Sequence, residues 1–178
     1  MRYMTTGAAI GLMLLASVMS VVPAFPQVVS DDPPQDSLVT ALEMMASEME
    51  LAQIAQDKSS HSKVRALAND IIKDHKRAIK RLKEVPGAPW WEVWSSDQRH
   101  AASDRLYDLS GSEFDLEFLN QTVDAYQESL GFFEAQSRAR NRTFAKIARD
   151  VKTRALDELL VAEALRHALA VTTLGEKG

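Results

Sequence analysis

The sequence predicts an all-α protein, an up-down four-helix bundle with a short extra helix in the long connection between its second and third helices. Three observations carry that prediction. Four long segments place apolar residues at the helical period of 3.6. No stretch alternates apolar and polar residues at period 2 long enough to read as a strand. Two of the breaks between segments are tight, near 58–60 and 140–141, and one is long. Tight breaks pair segments one and two, and three and four, as antiparallel neighbours, while the long connection can cross the bundle.

The first segment, about 37–57, carries Leu38, Ala41, Leu42, Met45, Met49 and Ala52 on one face. Asp36 or Ser37 is the expected cap. The second, about 61–85, carries Val64, Leu67, Ala68, Ile71, Ala78 and Leu82 and stops at Val-Pro-Gly-Ala-Pro. The connection holds the short helix, about 96–108, capped by Ser95 or Ser96. Gly111 punctuates it, and Ser112 can cap the third segment. That segment, about 112–139, carries Leu116, Leu119, Val123, Leu130 and Phe133. The fourth, about 142–171, carries Phe144, Ala148, Val151, Ala155, Ala162, Leu165 and Leu169.

Ahead of the bundle, expected over 37–172, stand two further regions. Arg2 is followed by an apolar run from about Ala8 to Val22, a Pro23 break and the small residue Ala24. That is the layout of a cleavable secretory signal peptide, residues 1–24. The apolar run is shorter than the roughly 20 residues of a membrane span. Nothing later is long and apolar enough to span, so export to the periplasm is the expectation. Cleavage removes Arg2 and no acidic residue, moving the net charge from −4 to −5. Residues 25–36, rich in Pro and Asp, read as a disordered leader.

Composition narrows function. The chain has 178 residues, 46% hydrophobic and 26% charged, enough for one domain with a core. Its acidic balance does not suit a nucleic-acid binder, which carries a basic face. It contains no cysteine, which excludes disulfides and thiolate metal sites. No Gly-rich phosphate loop, Ser-His-Asp order or His-Glu-x-x-His helix occurs, so conventional enzyme turnover has no motif to rest on.

The informative feature is where the apolar stripes are interrupted. Glu48 falls on the first stripe, His75 on the second, Tyr126 on the third and Glu158 on the fourth. Counted from the expected turns, Tyr126 and Glu158 are level, while Glu48 and His75 differ by roughly 7 Å along the axis. A buried carboxylate costs several kcal/mol unless paired or bound to a cation. Three solutions are open, one of them that a modest helix rotation turns one or more of these side chains outward. A divalent metal, Fe, Mn or Zn, suits carboxylate and imidazole donors in a bundle core, with Glu48, His75, Tyr126 and Glu158 as its ligands. A metal-free layer suits them too, with His75 donating to Glu48 and Tyr126 to Glu158, fixing helix register. Asp74, beside His75, points about 100° away toward solvent or a neighbouring lysine. His61, His100 and His167 read as solvated. Trp90, Trp91 and Trp94 form either an apolar lid or a contact for an envelope protein or membrane surface. Oligomeric state is not encoded in any recognisable motif.

Three motifs also resemble a known family. They are Glu-x-Glu-Leu at Glu48–Leu51, Asp-His at Asp74–His75, and Leu-Ser-Gly-x-x-Phe-Asp at Leu109–Asp115. Over about 37–170 the chain resembles an uncharacterised ferritin-like family of exported bacterial proteins, domain of unknown function 4142. The resemblance implies a ferritin-like fold and export. It also implies histidines at the positions of Tyr126 and Glu158, so this chain replaces two imidazoles with a phenol and a carboxylate. Two functional expectations result: an exported structural or interaction bundle with a central polar layer, or a periplasmic metal-binding or redox-stress protein using that layer.

Overall fold

A computed structural model describes residues 32–89 and 97–175, the side chains of 97–102 and 173–175 excepted. Residues 1–24, where a signal peptide is expected, and Trp90, Trp91 and Trp94 lie outside the described residues. Five helices follow in order: α1 (Gln35–Lys58), α2 (Ser62–Leu82), α3 (Asp97–Asp108), α4 (Gly111–Gln136) and α5 (Arg142–Gly175). Among the described residues there is no strand.

Packing follows connection length, as expected. The short links fold α2 back along α1 and α5 back along α4, and these are the two most extensive contacts. The hairpins then meet through α2 against α5 and α1 against α4. The four long helices therefore stand in a square in the order α1, α2, α5, α4, with every neighbour antiparallel. The chain must travel the bundle's length from the end of α2 to the start of α4. It does so over the α1–α4 face, where α3 packs on both helices. This is a four-helix bundle with one long crossover.

The helix ends show where local chemistry differs from the expected caps. α1 starts at Gln35, because the carbonyl of Pro34 accepts the N–H groups of Ser37 and Leu38 at 2.9 and 3.3 Å. Pro34 makes no side-chain cap, and Pro33 before it is buried, so the fold begins inside the expected leader. α2 ends at Leu82, and a pair of turns through Val85 and Ala88 follows, with Gly87 at φ 83°. Ser110, not Ser112, precedes α4. The carbonyl of Ser110 accepts the N–H of Phe114 at 3.4 Å and so closes the first turn, while Gly111 leads the chain into it at φ 59°, a conformation glycine takes without a Cβ penalty. α5 is capped by Asn141, whose Oδ1 accepts the N–H of Phe144 at 2.9 Å.

Lys58, the last residue of α1, pins the crossover. Its Nζ donates to the carbonyls of Leu106 and Tyr107 at 2.9 and 2.5 Å and lies over the rings of Tyr107 and Phe114. A cation at the carboxyl end of α3 meets the last carbonyls of the helix, that of Leu106 also accepting the Leu109 N–H at 3.4 Å, and the negative end of the helix dipole.

The core falls into two apolar halves. One holds Leu38, Leu42, Met45, Leu82, Phe133, Phe144 and Ile147. The other holds Leu51, Ile54, Val64, Ile71, Phe114, Phe118, Leu119 and Leu165. Each fully buried Leu, Ile or Phe contributes about 1.5–3 kcal/mol. Glu48 and His75 stand between the halves, while Tyr126 belongs to the second and Glu158 lies between its Ala155 and Ala162; together the halves outweigh polar groups that cost several kcal/mol.

Candidate functional site

Those polar groups are the four stripe interruptions. Glu48 and His75 are 8% and 4% exposed, Tyr126 and Glu158 1% and 6%. The structure joins them as two pairs. His75 Nε2 lies 2.5 Å from Glu48 Oε2, and the Tyr126 hydroxyl donates to Glu158 Oε2 at 2.5 Å. Each pair lies within one hairpin, α1–α2 or α4–α5. Between hairpins the nearest approach of the two rings is edge-tilted, His75 to Tyr126, with centroids 6.4 Å apart.

The pairs close although their residues are not level along the axis. Glu48 lies ten residues before the end of α1, and His75 thirteen after the start of α2. Tyr126 lies ten before the end of α4, and Glu158 sixteen after the start of α5. Counted from the helix ends, the offsets are thus about 4.5 and 9 Å. α4 ends at Gln136, earlier than the expected 139, which moves the reference point. Side-chain direction bridges the gap. Every Cα–Cβ bond leans toward its own helix's N-terminus. In each antiparallel hairpin the residue nearer the turn therefore leans away from it and the farther one leans toward it, and the tips converge.

Electrostatics follows from this burial. Burial opposes protonation of His75, but the hydrogen bond and charge of Glu48, with Glu158 and Asp74, outweigh it and raise its pKa above 6.5. Burial, then the charges of Glu48 and Glu158, push Tyr126 well above 10.0, so it is a fixed donor. Burial raises Glu158 from 4.5 to about 7, against the lowering effects of the Tyr126 hydrogen bond and the His75 charge. Glu158 Oε1 is buried and has no hydrogen-bond partner. Among the described residues no group of three or more His, Asp or Glu side chains is arranged to hold a metal ion.

Two grooves reach the layer from opposite sides. Between α2 and α5 run adjoining cavities of about 470 and 560 Å³; His75 lines the first and Glu158 the second. Asp74, Arg77, Arg154 and Asp157 border both. Asp74 faces arginines rather than the expected lysine: Arg77 Nη1 at 3.1 Å on its own helix and Arg154 Nε at 3.7 Å on α5. These arginines are 59% and 61% exposed, so the pairs are worth little in stability. On the other side, Glu48 lines a smaller cavity of about 240 Å³ between α1 and α4, beside Arg105 of the crossover.

Other polar residues escaped the stripe reading. Ser47 and Ser129 are buried, and so are Thr122 and Asp115. Thr122 satisfies itself on the carbonyl of Phe118, one turn back, at 2.8 Å. Asp115 ends the Leu-Ser-Gly-x-x-Phe-Asp motif, so the motif was its signal; it lies beyond the first turn of α4, and its Oδ1 is buried without a hydrogen-bond partner. His167 is exposed as expected. His61 is not simply solvated, because its Nδ1 is buried without a partner. The side chain of His100 lies outside the described residues.

Fold and layer together define a helical-bundle domain with one long crossover and a buried polar layer. The chain belongs to the family described as a domain of unknown function (DUF4142), whose model matches residues 23–165. It is also similar to the solved structure described as "Crystal structure of DUF305 fragment from Deinococcus radiodurans". That likeness has a TM-score of 0.68 at 19% identity and covers 77% of this chain and 98% of the other. At that identity it shows the fold alone. Among curated proteins none matches the chain. Among the described residues no helix is long and apolar enough to cross a membrane.

Proposed function

We propose that this is a periplasmic bundle, exported through a cleaved leader, that acts as a structural or interaction protein of the cell envelope rather than by turning over a substrate. In this reading Glu48, His75, Tyr126 and Glu158 form a metal-free layer that sets helix register. The observation that carries it is the closure of both pairs inside their own hairpins, which occupies one oxygen of each carboxylate with a protein donor. Export rests on the basic, apolar and small-residue order of residues 1–24. Contact with an envelope protein or membrane surface is assigned to Trp90, Trp91 and Trp94, which follow the break after α2.

The test is elemental analysis of full-length protein recovered from the periplasmic fraction, with its mass measured. The expected result is a chain shortened by the leader, without stoichiometric Fe, Mn or Zn, and a His75→Ala variant that is less stable. Stoichiometric metal that disappears in His75→Ala would overturn the reading, and so would recovery of the unshortened chain only in the cytoplasm.

A second reading, a Fe, Mn or Zn site at the same four residues, is favoured by one observation: the unpartnered, buried Oε1 of Glu158. Two carboxylates, an imidazole and a phenol are acceptable donors for such ions. The arrangement described does not bring them to one point, so binding would have to open the His75–Glu48 and Tyr126–Glu158 pairs. Titration with Mn or Zn, followed by the imidazole NMR resonances of His75, separates the two readings, since a metal-free layer leaves them unmoved.

A further inference from the structure

α5 is the longest helix, 34 residues, and part of it faces outward with apolar side chains. Leu156, Leu160 and Val171 are 43%, 65% and 57% exposed, and Val161, 47% exposed, borders the same side. Asp157, Ala164, His167 and Ala168 are exposed as well. At 100° per residue all of these but Val161 fall within an arc of about 120° on one side of the helix. The opposite side of α5 supplies Ala155, Ala162 and Leu165 to the core. The exposed stripe is therefore a second apolar face, additional to the one the bundle uses.

We propose that this face packs against the same face of a second copy, antiparallel, about a twofold axis at the level of Ala162. The pattern is self-complementary about that point. Residues equidistant from it pair large with small, Leu160 with Ala164 and Leu156 with Ala168. They also pair acceptor with donor, since Asp157 falls opposite His167. A twofold contact requires this reciprocity, residue i meeting j and j meeting i. A parallel arrangement of the same stripe would set Leu160 against Leu160 and Asp157 against Asp157. That crowds the large side chains, leaves gaps at the alanines and opposes like charges.

The size of the face sets the strength. From residue 153 to 171 the stripe is about 27 Å long and about 10–12 Å wide, roughly 300 Å² per copy. Two copies remain below the roughly 1,200 Å² at which standard stable interfaces begin. The dimer is accordingly concentration-dependent.

Sedimentation velocity of the mature full-length chain, from micromolar to several hundred micromolar, should show a reversible shift from monomer to dimer. Leu160→Glu should abolish that shift with its thermal unfolding unchanged, because this side chain is mostly in solvent. Asp157→Lys alone and His167→Glu alone should each weaken the dimer several-fold. The double variant should restore it, which only the antiparallel register allows. A chain that stays monomeric at the highest concentration overturns the proposal, including one that instead floats with anionic vesicles. A dimer that survives Leu160→Glu, or that the double variant fails to restore, overturns it equally.

Discussion

Replacing Glu158 by glutamine tests the electrostatics of the layer directly. In the folded chain Glu158 binds its proton with a pKa of about 7, against 4.5 when free. Between those values the native state holds more protons than the unfolded state, so stability falls as pH rises. Below 4.5 both states are protonated and the effect is absent; above 7 it is complete. At 1.36 kcal/mol per unit, the loss amounts to about 3 kcal/mol across the window. Glutamine keeps an acceptor for the Tyr126 hydroxyl but cannot ionise, so this loss vanishes in Glu158→Gln. His75 acts in the same direction but later. Its raised pKa gives stability that is complete below 6.5 and lost as pH rises through the folded value. Chemical denaturation of both proteins from pH 4 to 8 should therefore show the variant gaining about 3 kcal/mol on the native chain. In thermal melts that is about 6–12 °C for a chain of this length. Any constant offset from the unpaired amide cancels in the comparison across pH. Parallel stability curves for the two proteins would refute the reasoning, because Glu158 would then titrate alike folded and unfolded.

Three other substitutions separate the parts of the fold. Tyr126→Phe removes the donor that lowers the Glu158 pKa, so carboxyl NMR should place the Glu158 midpoint above that of the native chain, with a stability loss of about 1–3 kcal/mol at pH 8. His75→Ala strands Glu48 without its partner in the core and should cost about 3–5 kcal/mol in urea; a Glu48→Leu/His75→Leu double variant should recover most of that. Lys58→Met keeps the aliphatic stem but leaves the carbonyls of Leu106 and Tyr107 without their cation. It should cost about 1–3 kcal/mol, with amide exchange accelerating in α3 before α1 or α2.

The elements were legible because each helix carries its own period, and the layer because Glu48, His75, Tyr126 and Glu158 break that period at the positions that would otherwise be Leu or Ala. What spacing did not convey was the axial geometry. Whether Tyr126 stands level with Glu158 depends on where α4 stops, and that is decided by the turn after Gln136 rather than by the stripe. Caps were misplaced for a related reason. Asp36, Ser37 and Ser112 are all competent N-caps, but the carbonyls of Pro34 and Ser110 accept the first helical N–H groups and start the helices earlier. The Asp74–Arg154 approach and the groove beneath it require the register of α2 against α5, which no single helix contains.

Hydrogen bonding inside each hairpin has a consequence for how the layer specifies the bundle. Neither pair needs the other hairpin to satisfy its donor, so the layer does not hold the hairpins together by bonds across their interface. It acts through position. Glu48 and His75 separate Met45 from Leu51 on α1 and Ile72 from Ala78 on α2, and Tyr126 precedes the break to Phe133 on α4. Sliding one hairpin past the other by a single helical turn, about 5.4 Å, would move the Glu48–His75 pair against an apolar half of the partner. It would also withdraw the His75 charge that favours ionised Glu158. An apolar-only core would tolerate that slide at the cost of a few contacts, whereas here it opposes a charged pair to leucine and phenylalanine and costs several kcal/mol. The polar layer therefore lowers the stability the core would otherwise have and, in exchange, leaves one axial register without a close competitor.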